Sequence, residues 1–298
     1  MAWKTIVVSN PARLRLEHDQ IVIAQQDEVS FPIEDISTLL IESRDVLITS
    51  SLLSRLAEYG VSLIVCDRSH MPCMAGLPLA GHSRLAGVQR MQLDTTIPFR
   101  KRCWQTVVVR KIRNQAQCLN ILGRAKADML ESLADDVGSG DPDNLESVAA
   151  RVYFDALFGS SFSRSSECVT NSALNYGYAI MRGAVARGLA GHGFLPAHGI
   201  HHHSELNQFN LADDFMEPFR PLVDLCVAEM RPSGTLSKQH REKLVSLLHA
   251  QVLIDGNRHS VNRAAELIAG SFVAACRNKD PGLLTAPELL PITMHSYE

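Results

Sequence analysis

The amino-acid sequence predicts an α+β protein of two domains, with a small β-rich N-terminal domain before a larger all-α domain. Its 298 residues are long for one compact core, which favours two domains. Short runs of β type fill residues 1–80, whereas apolar residues recur at helical spacing from Phe99 onward. Glycines and prolines are spread between these regions. We therefore predict domains at 1–80 and 99–298, joined by a linker at 81–98.

The β-rich part is a series of short extended runs with one helix. The runs cover 4–8, 13–17, 20–24, 29–33 and 38–41. Residues 49–60 read as a compact helix, with an N-cap at Thr49 or one of the next two serines and a stop at Gly60. An apolar strand at 61–66 follows. This region shows no catalytic constellation, and we expect a small sheet with one helix packed on it.

The second part is predicted to be almost entirely helical. One apolar stripe with spacings of three, four or their sum comprises Trp104, Val108, Ile112, Gln115, Leu119, Leu122, Met129 and Leu133. Asn144 is a candidate cap for a helix at 145–158, and a small-residue helix follows at 171–183. Further amphipathic helices are expected at 206–216, 221–230, 238–254 and 257–276. The tail from Asp280, which contains three prolines, is expected to be irregular.

Composition places the chain among ordinary globular proteins. Hydrophobic residues make up 46% and charged residues 20%. The first residues lack a signal-peptide pattern, and no apolar run approaches the ~20 residues that span a bilayer. The seven cysteines are scattered without a CxxC motif, which indicates reduced thiols in a cytoplasmic protein.

Charge is unevenly distributed along the chain. The whole chain is −3, yet residues 84–126 hold ten Lys or Arg and one acid, a local charge of +9. Such a block beside an acidic remainder is typical of a protein that binds polyanions, although a solvated helix face is the alternative. The candidate DNA-binding residues are Arg84, Arg110, Lys111, Arg113, Arg124 and Lys126.

Histidines and acids cluster in residues 199–220. Three histidines at 201–203 occupy a predicted turn, and Asp214 and Glu217 share one helix face at i and i+3. Close carboxylates need a positive partner, which is either a divalent cation or a basic residue such as Arg220. Pro218 disfavours a helix interior and predicts a kink or a helix start beside Glu217.

Three motifs in order carry a family resemblance. They are residues 145–154 with Glu146 and Arg151, residues 171–178, and Gly199-Ile-His-His followed by Asp213-Asp-Phe-Met-Glu-Pro-Phe-Arg-Pro221. In this order the chain resembles the CRISPR-associated spacer-acquisition integrases, and its triple histidine and Met-Glu-Pro-Phe-Arg-Pro segment resemble the type II form. The resemblance covers nearly the whole chain.

The resemblance implies a catalytic metal site of Glu146, His202 and Glu217, with Asp214 as a supporting or alternative ligand. It implies Mg²⁺ or Mn²⁺, which suits carboxylate and imidazole donors. His201 and His203 are alternatives for the histidine, because neighbouring side chains point apart and all three cannot face one ion. Taken alone, Glu146 also reads as an acid favoured by a helix dipole.

The same resemblance implies partners. These are double-stranded DNA (spacer precursor and CRISPR repeat), a second copy of the chain through the β-rich domain, and a small ferredoxin-like Cas adaptation protein. The type II effector nuclease is a further candidate, and no membrane is involved.

The function expected from these features is a metal-dependent DNA integrase. It would join 3′-hydroxyl ends of captured spacer DNA to the CRISPR repeat by transesterification. One alternative is a metal-dependent DNA endonuclease in which water replaces the hydroxyl. Another is a non-catalytic DNA-binding scaffold whose acids pair with Arg151 and Arg220.

Overall fold

The computed structural model describes residues 4–76 and 84–296. Its strands are β1 Lys4–Val8, β2 Ala12–Glu17, β3 Gln20–Ala24, β4 Glu28–Pro32, β5 Ile36–Ile41, β6 Val46–Ile48, β7 Ser62–Cys66, β8 Pro72–Gly76, β9 Ala250–Ile254, β10 Asn257–Ser260 and β11 Glu288–Met294. Its helices are α1 Ser50–Glu58, α2 Leu85–Leu93, α3 Ile97–Ile121, α4 Ala127–Asp135, α5 Leu145–Phe158, α6 Val169–Gly191, α7 Asn210–Met216, α8 Arg220–Met230, α9 Lys238–Ser246 and α10 Val261–Asn278. The predicted succession of a β-rich part and a helical part is confirmed.

Two four-stranded sheets build the N-terminal part. One has the order β1-β5-β7-β8 and the other β4-β3-β2-β6. Strand β5 is buried at all six positions, because it lies between parallel neighbours and both of its faces are covered. Leu39 packs in the core between the sheets, whereas Leu40 belongs to the core of the helical part. The sheet is thereby attached to the helices through side chains of one strand.

Helix α1 begins and ends as the sequence predicts. The Thr49 side chain accepts a hydrogen bond from the Leu52 amide at 3.4 Å, which satisfies an amide that the helix leaves free. Gly60 follows with φ +67°, a left-handed conformation that glycine adopts without steric cost.

Helices α3 and α6 form the centre of the C-terminal part. Helix α6 packs against α7, α8, α9 and α10. At Gly177, a side-chain Cβ would lie 2.4 Å from Cγ1 of Val223 in α8, so only glycine permits this close approach. The small residues of α6 therefore serve close helix packing.

The C-terminal part contains a sheet, so its description as all-α is incomplete. Strands β9, β10 and β11 form an antiparallel sheet in the order β10-β9-β11. Alternate residues of β9 are buried, and the β9–β10 turn contains Asp255-Gly256 with positive φ at both residues. An Asp-Gly turn favours a hairpin. The predicted helices at 238–254 and 257–276 and the irregular tail are corrected accordingly.

Other element boundaries also differ from the predicted ones. The segment predicted as a linker contains α2, which buries Val88 and Gln92. The stripe after Phe99 is two helices, because the chain turns between α3 and α4 with positive φ at Gly123 and Lys126. Helix α7 begins at Asn210, and Leu206 is 99% exposed.

A buried ion pair joins the sheet to the helices. Oε1 of Glu42, just after β5, accepts hydrogen bonds from Nε of Arg241 in α9 and from the Tyr176 hydroxyl in α6, both at 2.9 Å. Its Oε2 accepts one from Ser9 at 2.9 Å. We call Glu42, Arg241, Tyr176 and Ser9 the junction cluster.

The seven cysteines are free thiols, two of them exposed. Across residues 4–76 and 84–296, no helix has the length and hydropathy that a membrane crossing requires.

Candidate active site

A bend between α7 and α8 positions Glu217. A 3₁₀ turn at Glu217–Phe219 joins the two helices, and Pro218 lies in this turn, where its missing amide costs no helical hydrogen bond. The side-chain amide of Asn114 in α3 donates to the carbonyl of Pro218 at 2.7 Å and to that of Pro287 at 2.8 Å. Asn114 is buried, and it anchors the bend against the long helix α3.

Glu217 and Glu146 face one another across a lysine. Nζ of Lys111, one turn before Asn114 on α3, lies 2.5 Å from Oε1 of Glu146 and 2.5 Å from Oε2 of Glu217. The side chain of Glu217 is 4% exposed and that of Glu146 23%. The structure thus brings together two acids that are 71 residues apart in the sequence.

The ionic state of this pair follows from its charges. Burial alone would raise the pKa of Glu217, but the positive charges of Arg220 and Lys111 outweigh burial and hold that pKa below its usual value. Burial opposes the ammonium of Lys111, but Glu217 and Glu146 outweigh it and raise its pKa. Both acids therefore act on an ionised lysine in the free protein.

Glu146 is held by the first turn of α5. The Asp141 carboxylate accepts hydrogen bonds from the amides of Leu145 at 2.8 Å and Glu146 at 3.0 Å, so Asp141 caps this helix. Asn144, the predicted cap, makes no capping hydrogen bond with its side chain and has φ +52°. The acid in the first turn fits the helix dipole as well as the site.

A buried network lies behind Arg220. Nε of Arg220 lies 2.8 Å from Oε1 of Glu217, and its guanidinium stacks 4.6 Å from the Tyr178 ring centroid. The hydroxyls of Tyr178 and Tyr153 both donate to Asp224. Burial, its largest cause, raises the pKa of Asp224 to about 6. The second predicted motif thus contributes Tyr178, which orients the arginine beside Glu217.

Asp214 organises the histidine turn. Its Oδ2 accepts hydrogen bonds from the amides of Ile200 at 2.7 Å and His201 at 3.1 Å. Its Oδ1 accepts the His202 amide at 3.0 Å and lies 2.7 Å from Nδ1 of His202. Asp214 is fully buried, and both of its carboxylate oxygens are occupied by groups of the turn. Its role is therefore to hold the turn and the His202 ring in place. A carboxylate on one ring nitrogen fixes the imidazole and leaves Nε2 to bind a ligand.

Glycine is required at the start of this turn. A Cβ at residue 199 would lie 2.2 Å from the carbonyl oxygen of His202 and 2.7 Å from Oδ2 of Asp214. The Asp214 carboxylate cannot move away without losing the hydrogen bonds that it accepts from the turn.

The three histidines differ in their surroundings. The hydrogen bond to Asp214, followed by other nearby acids including Glu217, raises the pKa of His202. His201 stacks on Trp104 with ring centroids 4.1 Å apart, and burial lowers its pKa. Nδ1 of His203 lies 2.8 Å from the His201 carbonyl. Of the three, His202 is the one that Asp214 orients and that Glu217 influences.

The described residues do not form a finished metal site. No three His, Cys, Asp or Glu side chains within them are grouped closely enough to hold a metal ion. Oε2 of Glu217, however, is buried and lacks a hydrogen-bond partner of regular geometry, although Nζ of Lys111 lies 2.5 Å from it. An unsatisfied buried carboxylate oxygen beside a second carboxylate is suited to a hard cation.

The predicted DNA-binding residues lie in varied positions. Lys111 is buried between the two acids, away from the surface face that the sequence suggested. Arg110 pairs with Glu288 at 2.9 Å, Arg113 with Asp135 at 2.8 Å, and Lys126 with Asp155. Arg84 and Arg124 are exposed.

A basic pocket adjoins the histidine turn. Its volume is about 390 Å³, and its lining includes Arg100, Lys101, Trp104, His201 and His203. Arg100 and Lys101 belong to the +9 segment, so part of the basic block reaches the histidine turn.

Comparisons with known proteins identify the family of the chain. Residues 5–266 match the family described as CRISPR associated protein Cas1. The chain is 42% identical to the CRISPR-associated endonuclease Cas1 of Neisseria meningitidis serogroup C (strain 8013), over the full length of both.

Two solved structures share the fold. A casposase bound to integration product superposes with a TM-score of 0.76 at 17% identity, over 93% of this chain and 91% of that one. A chain of a Cas6-RT-Cas1–Cas2 complex gives 0.70 at 16% identity, over 94% of this chain and 36% of that one.

The family match covers most of the chain, and the relative that is 42% identical over its full length is named an endonuclease. The chain belongs to the Cas1 family.

Proposed function

We propose that this protein is a metal-dependent DNA integrase of CRISPR adaptation. It joins the 3′-hydroxyl ends of captured spacer DNA to the CRISPR repeat by transesterification. The observation that carries the proposal is the pair Glu146 and Glu217 around one cation position, with an unsatisfied oxygen on Glu217. Membership of the Cas1 family supports it.

Glu146, Glu217 and Nε2 of His202 are the groups that would hold Mg²⁺ or Mn²⁺. Carboxylate and imidazole donors suit these ions, and Asp214 keeps the His202 ring in place for that role. When bound, the ion would lower the pKa of the attacking hydroxyl and neutralise charge that develops on the phosphate.

The chain's own residues set the geometry of the exchange. The spacer 3′-oxygen forms a bond to phosphorus and loses its proton, while the bond from phosphorus to the repeat's O3′ breaks and that oxygen takes up a proton. Arg100 and Lys101 line the pocket beside the histidine turn, and we place the phosphate backbone of a DNA strand against these two side chains. Contacts of this kind position the backbone without reading its sequence.

The proposal includes partners. A second copy of the chain and a small ferredoxin-like Cas2 protein would complete the complex, and the type II effector nuclease is a further partner. A neighbour in a complex with Cas2 supports the second of these.

A plasmid integration assay tests the proposal. Labelled duplex with free 3′-hydroxyls is mixed with a repeat-containing plasmid, Mn²⁺ and the chain, with and without the Cas2 partner. We expect label to join the plasmid, and to join less when His202→Ala replaces wild type. His203→Ala is the matched control and should retain most joining. Cutting without joining would favour the hydrolytic nuclease, and no Mn²⁺ dependence would favour a non-catalytic scaffold.

A further inference from the structure

Lys111 occupies an unusual place for a lysine. It lies in the interior of α3, and its side chain is only 10% exposed. Burying an ammonium is costly unless it is paired, and its partners here are two carboxylates, each 2.5 Å from Nζ. Its position is therefore fixed by Glu146 and Glu217, and theirs by it.

The charges around Lys111 balance. Glu146 and Glu217 supply two negative charges, and Lys111 and Arg220 supply two positive ones. Lys111 contacts both acids, and Arg220 contacts Glu217. A divalent cation added to this set would leave an excess of positive charge beside a buried ammonium. Like charges at such short range in a buried site repel strongly.

The contacts also overlap atom by atom. The oxygens that a cation between the two acids would use are Oε1 of Glu146 and Oε2 of Glu217, and these are the oxygens that Nζ approaches. Oε2 has no hydrogen bond to hold the ammonium there. The lysine contact is thus charged but incompletely bonded, so a better ligand can replace it.

We propose that the Lys111 ammonium is the resident cation of the free protein, and that a divalent cation binds between Glu146 and Glu217 by displacing it. The inference rests on the proposed function for the identity of the ion. Lys111 is a positioning residue in this scheme: it keeps two buried acids together before the metal arrives, and it weakens metal binding until it leaves.

Mn²⁺ binding to the full chain without DNA tests the inference. Free Mn²⁺ is counted by electron paramagnetic resonance for wild type, Lys111→Met and Lys238→Met, the last a control lysine that is mostly exposed on α9. Lys111→Met should bind Mn²⁺ at least about tenfold more tightly, which corresponds to about 1.4 kcal/mol. Lys238→Met should match wild type. Equal or weaker binding by Lys111→Met overturns the inference.

Melting temperature provides a second measurement. Without metal, Lys111→Met should melt below wild type, because two buried acids lose their common partner. Mn²⁺ should raise its melting temperature by more than it raises that of wild type. An unchanged melting temperature without metal would contradict the resident-cation role.

If Lys111→Met alone fails to fold, Glu146→Gln and the double variant with Lys111→Met test the same inference. Glu146→Gln removes one negative charge, so Lys111→Met should cost less stability in that background than in wild type. Lys111→Met with Glu146→Gln should also bind Mn²⁺ more tightly than Glu146→Gln alone, and equal affinity overturns the inference. None of these measurements requires strand joining, so a wild type that binds Mn²⁺ but joins no DNA would refute the proposed function and leave this inference intact.

Discussion

Two buried glutamates in this molecule face similar partners but are bonded differently. Glu42 in the junction cluster and Glu217 in the candidate active site are 2% and 3% exposed, and each lies beside an arginine. Every carboxylate oxygen of Glu42 accepts a hydrogen bond, whereas Oε2 of Glu217 accepts none. Nε of Arg220 likewise lacks hydrogen-bond geometry, although it is 2.8 Å from Glu217.

The difference separates an ion pair built for stability from one built to be exchanged. A fully bonded buried pair resists any change of partner, because each group would lose a hydrogen bond on leaving. A pair held by charge alone can accept a new cation at lower cost. Burial and proximity of opposite charges are alike at the two glutamates, and it is hydrogen-bond geometry that distinguishes them.

The largest expected effect is a difference in strand-joining activity between variants of the two glutamates. Glu217→Gln should lower strand joining by roughly 10²–10³-fold, the usual loss on removing one group that stabilises charge in the transition state. The matched change Glu42→Gln should leave joining per folded molecule close to wild type. The integration assay, normalised to folded protein, measures both. Equal losses from the two changes would break the comparison.

The next effect reverses the order and concerns stability. Glu42→Gln leaves Arg241 buried without its counter-charge, which should cost about 3–5 kcal/mol in unfolding free energy. Glu217→Gln should cost less, because Lys111 keeps Glu146 as its partner and the Arg220 side chain is 29% exposed, whereas that of Arg241 is 10% exposed. Chemical denaturation without metal measures both. A greater cost for Glu217→Gln would mean that its cluster is structural.

Local patterns in the sequence predicted much of this architecture. The change from alternating runs to helical spacing predicted the succession of a β-rich part and a helical part, and Thr49 and Gly60 marked the ends of α1. The C-terminal sheet was missed because β9 and β10 lie in segments that also read as amphipathic helices, and β11 lies in the proline-containing tail that reads as irregular. Asp255-Gly256 was the available hairpin signal.

The site was predicted only in part, since it depends on contacts between distant segments. Glu146 and Glu217 came from a family resemblance, and no spacing shows that they meet. The basic block predicts that Lys111 binds DNA, yet Lys111 lies seven positions after the buried Trp104 and therefore on the same helix face. Asn114 gave no signal, because its partners are carbonyls from two distant segments.

A smaller effect on stability and on strand joining is expected from a change in the histidine turn, where the backbone at Gly199 packs closely against Asp214. Gly199→Ala should cost roughly 1–3 kcal/mol, the range for forcing an extra methyl group into a packed position. It should also lower strand joining, because displacing Asp214 would break its hydrogen bonds to the backbone amide and the ring of His202. Gly87→Ala is the control, since a Cβ at Gly87 meets nothing within 4 Å. Wild-type joining by Gly199→Ala would show that the turn tolerates displacement.

The smallest effect is a pH dependence that identifies the ionised state of the junction cluster. Burial alone would raise the pKa of Glu42, but hydrogen bonds from Arg241, Tyr176 and Ser9 outweigh it and lower that pKa below its usual value. A depressed folded-state pKa adds stability that is present above the unfolded-state pKa and lost as pH falls through the folded-state pKa. The difference in unfolding free energy between wild type and Glu42→Gln should therefore be constant near neutral pH and shrink below about pH 4.3, the ordinary glutamate pKa. Subtracting the variant removes the titration of the other acids, provided that they are unaffected by the change. A difference that stays constant down to pH 3 would mean that Glu42 is not held ionised by its partners, and the contrast with Glu217 would then rest on hydrogen-bond geometry alone.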